Sequence, residues 1–447
     1  MVRNNQLKNR KELGNLNREK FGVILPITLL SYFLILMDNS IIFTSSVQIG
    51  ESLGLSAAAL SWVASAYTLT FGGFLLLSGR LSDLLGRKRI FLIGLLIFGF
   101  SSLAIGLSQS AEMVISMRAI QGIGSSIIAP TTLALIMDAY QNNMRQRAIS
   151  YYGATAGIGS SIGLLVGGGL TSLISWRVGF LINVPFTLIL FILTLKYVKP
   201  SARRKENIDY LGSILSIIGL VGIIYGFTEG MLNFVFIGMI FICLFILWER
   251  KTSSPILPLA LFQNKIRSGA YVTRLLFMMA MLPFWFFLPQ MMQSQYGFSA
   301  LKSGFAFLPL TIVNFMIAMQ LPKLTSKFGN NKILLIGEIT LSIGLILLAI
   351  SNPLNGYWQT IFVPMIILGL GQGLILAPVT SAGVHDAPDE LAGIASGVTN
   401  TMHQIGGPIG LSLIVATTTN FQTEIWMMAV FILISILVVT LFVNNRK

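Results

Sequence analysis

Fourteen apolar runs, separated by short polar gaps, leave this chain few ways to fold. They lie at 21–47, 58–78, 90–109, 113–138, 150–172, 178–198, 210–229, 232–248, 268–291, 303–321, 333–350, 360–384, 391–416 and 425–443. A helix that crosses a bilayer needs roughly 20 mostly apolar residues, and these runs have that length. Composition agrees. Only 10% of the 447 residues are charged, whereas a soluble domain carries about 25%. So little charge cannot cover a water-facing surface, and the mean hydropathy of +0.79 points the same way. The expected fold is an all-α polytopic membrane protein with about fourteen transmembrane helices. The first twenty residues are polar, and the first apolar run is too long for the 7–15-residue core of a cleavable signal, so none is expected.

The polar gaps carry the orientation. One set holds Arg3, Lys8, Arg10, Lys11, Arg18 and Lys20, then Arg80, Arg87, Lys88 and Arg89, then Arg145 and Arg147. It continues through 199–205, 250–267 and 323–332 to Arg446 and Lys447, while the alternate gaps hold almost nothing basic beyond Arg177 and Lys302. Basic residues stay on the cytoplasmic side, so both termini are expected in the cytoplasm and the chain in the cell membrane. The net charge of +14 is then explained by anionic lipid at the inner leaflet, with no nucleic-acid partner. The acidic gap with Asp386, Asp389 and Glu390 departs from the pattern. A single Cys243 and two histidines, His385 and His403, give no disulfide framework, metal cluster or cofactor site.

The chain also repeats. Gly79-Arg-Leu-Ser-Asp83-Leu-Leu-Gly86-Arg87-Lys-Arg89 joins the second and third runs, and a weaker echo, Pro322 to Lys332, joins the tenth and eleventh. Ala129-Pro130 and Ala377-Pro378 likewise recur. The implied organisation is a tail at 1–20, a six-helix bundle at 21–198, a linker with two extra helices at 199–267, a second six-helix bundle at 268–443, and a tail at 444–447. Parallel repeats with a midplane site are a transporter architecture.

These motifs together resemble the major facilitator superfamily, and within it the fourteen-span drug:proton antiporter branch. Gly79 to Arg89 is similar to its loop motif, and Arg118-Ala-Ile-Gln121-Gly122-Ile-Gly124 to its fourth-helix motif. Met37-Asp38 and Trp176-Arg177-Val-Gly-Phe180-Leu-Ile-Asn183-Val-Pro185 match segments of that branch. The fifth-helix pattern departs: Gly163-Leu-Leu-Val-Gly167-Gly168 lacks the usual proline, while Gly406-Gly-Pro408-Ile-Gly410 carries one in the thirteenth run. The resemblance implies proton-coupled export of amphipathic drugs or cationic dyes by alternating access. The same fold could instead carry a specific metabolite, lipid or peptide. A lipid-modifying enzyme would need a cluster of nucleophile, base or metal ligands, and the sequence offers none. Small substrates, protons and the bilayer are the expected partners, and a monomer the expected unit.

Asp38 is the sharpest residue signal. A carboxylate at a helix centre costs about 2.5–3.5 kcal/mol on insertion scales, so it needs a reason to be there. It is expected in the outer half of its span, with Arg118 at a comparable depth, and the two as a proton-coupling pair. The bland alternatives are a structural acid bonded to Asn39 or Ser40, and an arginine snorkelling to the outer headgroups. Glu338 is the next coupling candidate; it and Arg274 lie within snorkelling reach of the basic side. His403 reads as a packing histidine, and Glu229 and Glu249 as solvated. Gly79, Asp83, Gly86, Arg87 and Arg89 are expected to form a conformational latch. Trp62, Tyr67, Asn183, Trp285, Phe286 and Gln290 are candidates for the substrate cavity, with Met-rich surface around 278–292. Gly159, Gly163, Gly167 and Gly168 are expected to mark close helix packing.

Overall fold

The computed structural model describes residues 21–200, 209–388, 391–418 and 420–444, with the side chains of 156, 157 and 160 left out. Expectations for the tail at 1–20, for 201–208, for Asp389 and Glu390, and for Arg446 and Lys447 lie outside the described residues. The chain is an all-α polytopic membrane protein. Its long helices are α1 (Ile24–Leu53), α2 (Ala57–Leu85), α3 (Arg87–Gly106), α4 (Ala111–Ala139), α5 (Asn142–Leu173), α6 (Trp176–Tyr197) and α7 (Tyr210–Thr228). They continue with α8 (Leu232–Glu249), α9 (Lys265–Tyr296), α10 (Ala300–Phe328), α11 (Asn330–Ile350), α12 (Phe362–Gly383), α13 (Ala392–Thr417) and α14 (Phe421–Val443).

Twelve of these are long and apolar enough to cross a membrane by length and composition. The other two, α5 and α13, are diluted by glycine and polar residues such as Asn400, His403 and Gln404. These two helices make close backbone contacts with their neighbours, which is where small residues are wanted.

Local chemistry sets the joints, and it does so twice. Gly54 ends α1 at φ 62°, and Ser56 then caps α2 by accepting from the Ala59 amide. Gly297 ends α9 at φ 62°, and Ser299 caps α10 from the Lys302 amide. A left-handed residue closes a helix without penalty only when it is glycine, and a serine oxygen satisfies an orphan amide of the next. The polar joints recur as well: Gly86 and Gly329 hold φ 96° and 85° between α2 and α3 and between α10 and α11. Because α1 runs on to Leu53, beyond the apolar run ending at 47, Asp38 stands at mid-helix rather than in one half. It is about 21 Å from Ile24 at 1.5 Å per residue.

Helix α1 packs against α4 and α5, α2 against α4, and α3 against α4 and α6. The later helices repeat this: α9 packs on α13, α10 on α12, and α11 on α12 and α14. Helices α7 and α8 pair with each other, and α7 lies against α2 and α13. The two sets meet along α2–α13, α5–α10 and α1–α9.

Glycine fits these crossings. A Cβ at Gly163 would stand 2.8 Å from the Met37 carbonyl oxygen, and one at Gly167 2.7 Å from Ile41 Cα, both on α1. Gly159 faces Leu36 of the same helix, whereas Gly168 faces Ala300 of α10. Gly406 and Gly410 meet Leu275 and Met279 of α9 in the corresponding places.

Candidate functional site: a buried ion pair among five helices

Asp38 of α1 and Arg118 of α4 are both wholly buried, and the Arg118 Nη1 donates to Asp38 Oδ2 at 2.7 Å. The same nitrogen donates to Gln121 Oε1 at 2.7 Å, and Nε donates to the Val63 carbonyl of α2 at 3.1 Å. The other carboxylate oxygen, Oδ1, accepts from Gln121 Nε2 at 2.9 Å and from Asn183 Nδ2 at 2.7 Å. Ser102 of α3 accepts from Gln121 at 2.8 Å. Helix α6 is interrupted at Ile182, where two helical pieces join, and Asn183 is the first residue after the break. The guanidinium also lies over the Tyr67 ring, 4.2 Å from its centroid, and Tyr67 in turn donates to Ser125.

Charges removed from water are tolerated only when paired and hydrogen-bonded, and that is how these are held. Arg118 does not snorkel, and Asp38 bonds neither Asn39 nor Ser40. Chemically the cluster is a carboxylate neutralised by one cation and oriented by two amides. Adding a proton to the carboxylate would remove the charge that holds Arg118.

The polar joint between α2 and α3 is a second charged network. Arg87, first residue of α3, pairs with Asp83 at 3.2 Å, donates to the Ala134 carbonyl at 2.9 Å, and meets Asp138 at the end of α4. Arg80 donates to the Pro255 carbonyl at 2.6 Å, tying α2 to the segment after α8. Arg89 is exposed, and Gly79 has open space around it.

Residues 28–411 match the Major Facilitator Superfamily. The chain belongs to that superfamily. Among its relatives, the "Uncharacterized MFS-type transporter EfpA" of Mycobacterium tuberculosis is 31% identical over 86% of this chain and 74% of its own length. The "Puromycin resistance protein pur8" of Streptomyces alboniger is 31% identical over 89% and 81%. The "Multidrug resistance protein 3" of Bacillus subtilis is 29% identical over 89% and 79%. The fold is shared with the POT family transporter PepTSo at a TM-score of 0.71, with 15% identity over 95% of this chain and 98% of that one.

Within this superfamily fold, the residues expected to line a cavity fall in several places. Tyr67 and Asn183 belong to the buried charge cluster. Trp62 turns to the extra pair, donating to Glu229 at 3.2 Å and lying against Tyr225 of α7. Phe286 is core. Trp285 stacks on Phe307 of α10 at 4.9 Å and leans toward Phe43 of α1, so it stands at the seam between the two sets. Gln290 donates to its own helix at Phe286.

Three charged residues differ from expectation. Glu338 is fully buried, with neither carboxylate oxygen in a hydrogen bond, and Ser435 of α14 is its polar neighbour. Arg274 is buried rather than snorkelled. Glu249 is buried too, accepting from the Leu257 amide at 2.9 Å, because the chain after α8 folds back over it. The acidic gap finds its basic partner through the backbone: Arg267 Nη1 donates to the carbonyls of His385 and Asp386 at 2.9 and 2.7 Å.

The bonds between the two helix sets gather away from the basic joints. Gln48 of α1 bonds Gln293 of α9 at 2.9 Å, Gln293 donates to the Thr44 carbonyl, and the Leu301 amide donates to Ser172 of α5 at 3.0 Å.

Proposed function

We propose that this chain is a multidrug exporter of the cell membrane that moves amphipathic compounds outward in exchange for protons. The names of its relatives, which include a multidrug resistance protein and a puromycin resistance protein, support the substrate class. The buried Asp38–Arg118 pair carries the coupling. An ionisable pair inside a membrane bundle marks a functional path by default, and this one is bonded to α2 and, through Gln121 and Asn183, to α3 and α6.

In the proposed cycle, protonation of Asp38 releases Arg118 and loosens the crossing of these helices. The halves at 21–198 and 268–443 then rock about the seam between them. The basic joints face the cytoplasm, and the Asp83–Arg87–Asp138 network stiffens that end as a latch. No covalent step and no nucleotide are required. One charge crossing 100 mV supplies about 2.3 kcal/mol, enough for tens-fold accumulation. A monomer in the bilayer suffices.

The test is proton flux in proteoliposomes on addition of a cationic dye. Asp38→Asn, which keeps the shape and hydrogen bonds of a protonated carboxyl, is expected to abolish dye-driven proton movement while the protein still binds dye. Wild-type coupling in that variant would remove Asp38 from the mechanism and shift attention to Glu338.

A further inference from the structure

Arg274 stands nine residues into α9, about 13 Å from its basic end at 1.5 Å per residue, and is only 7% exposed. Among the described residues its single hydrogen bond is long, from Nη1 to the Leu376 carbonyl of α12 at 3.4 Å, and its Nε has no partner. No carboxylate pairs with it among the described residues. The Tyr32 hydroxyl of α1 and the His403 ring of α13 lie within electrostatic reach of the guanidinium, and the His403 Nδ1 is without a partner among the described residues. Tyr32 in turn stacks on Tyr152 of α5 at 4.1 Å. Residues from both helix sets therefore meet around one under-satisfied cation at the seam, on the basic side of Asp38.

The acids that could have answered it are engaged or turned away. Asp38 has its oxygens taken by Arg118, Gln121 and Asn183. Glu338 lies behind α12, where its neighbour Gly337 abuts Leu374 and Ile375 of that helix, and it faces Ser435. A buried arginine left with open donors is costly, and its planar fork suits a carboxylate or another strong acceptor.

We propose that Arg274, with the Tyr32 hydroxyl and His403 beside it, is a subsite for an anionic or strongly accepting group on the transported compound. Resting on the export reading above, this suits the exporter to zwitterionic and acidic amphiphiles as well as cations. The aromatic body of such a compound would lie along the Tyr32–Tyr152 face, with its acid end on the guanidinium.

The experiment compares a rhodamine bearing a free benzoate with its methyl ester, by fluorescence anisotropy on the detergent-purified full chain. The two dyes share their aromatic body and differ in the charge of one group. Wild type is expected to bind the benzoate several-fold more tightly. Arg274→Gln should weaken the benzoate roughly tenfold or more, as loss of a charge-assisted bond does, and leave the ester nearly unchanged. Arg274→Lys should restore part of the difference, because a point charge remains. Unchanged ester binding also shows that the variant is folded. Equal weakening of both dyes, or a benzoate preference that survives Arg274→Gln, overturns the subsite while leaving the export reading standing. If wild type binds neither dye, both readings fall.

Discussion

Arg118 serves two neighbours at once, Asp38 for charge and Tyr67 for its ring face, and this decides what its loss should do. Removing it leaves a buried carboxylate held only by amides, a defect of about 3–5 kcal/mol in comparable pairs. Arg118→Ala should therefore lower thermal stability in detergent more than the paired change Asp38→Asn with Arg118→Gln, which removes both charges and keeps hydrogen-bonding shape. Heated samples followed by size exclusion would read this. If the double variant were as unstable as Arg118→Ala, the pair would not be the unit that holds α1 and α4 together. The charged members of this site were legible because a charge in an apolar run needs an explanation. Its neutral members were not. Asn183, Gln121 and Ser102 look like any polar residue on a membrane helix, and Tyr67 like any aromatic, so the sequence alone does not tie Asn183 and Tyr67 to the charge pair. The break of α6 at Ile182 is marked by Pro185, whose missing N–H cannot bond the Leu181 carbonyl four residues back, but nothing in the sequence says that Asn183 then turns to Asp38.

Helices α5 and α1 cross on glycine, and position by position the crossing distinguishes a tight contact from open space. A valine at Gly163 would drive its Cβ to within 2.8 Å of the Met37 carbonyl, beside Asp38, whereas Gly153 on the same helix has nothing within 4 Å. Gly163→Val is expected to destabilise by about 1–3 kcal/mol as overpacking does, and to stop transport by shifting α1. Gly153→Ala should be close to neutral in both. Equal damage from the two would mean that α5 does not lock α1 through its glycines. At this scale the sequence was informative: the glycine spacing marked close packing, and the second half uses the same device where Gly406 and Gly410 meet α9. The echo of the polar joint is also real at the level of bonds. Asn330 donates to the Pro378 carbonyl at 2.9 Å as Arg87 does to Ala134. The second version keeps a hydrogen bond across the joint and drops the Asp83–Arg87 charges, since Ser326 and Asn330 stand where Asp83 and Arg87 do.

Across the whole molecule, the number and order of the helices could be read from the apolar runs, because hydrocarbon thickness sets their length. Which face of a helix looks toward the other half could not, because lipid and packed protein both accept apolar side chains. The aromatic run from Phe284 to Phe287 shows this: Phe284 and Phe286 are core, and Trp285, stacked on Phe307 within its own half, leans across to Phe43 of α1. The same uncertainty hid the seam, which is defined by bonds between Gln48, Gln293 and Thr44 and between Ser172 and Leu301. These give alternating access a direct test. The Leu301 amide is 3.0 Å from the Ser172 hydroxyl, and neither residue is buried. The variant Ser172→Cys with Leu301→Cys, in a Cys243→Ala background, should form a disulfide on oxidation. If α5 and α10 must part for the compound to leave, the oxidised protein should bind dye and yet fail to move it. Reduction should then restore dye-driven proton flux. Each single cysteine should transport under both conditions, separating the cross-link from the substitutions. Full transport by fully cross-linked protein would mean that this contact persists through the cycle, and that the seam opens elsewhere.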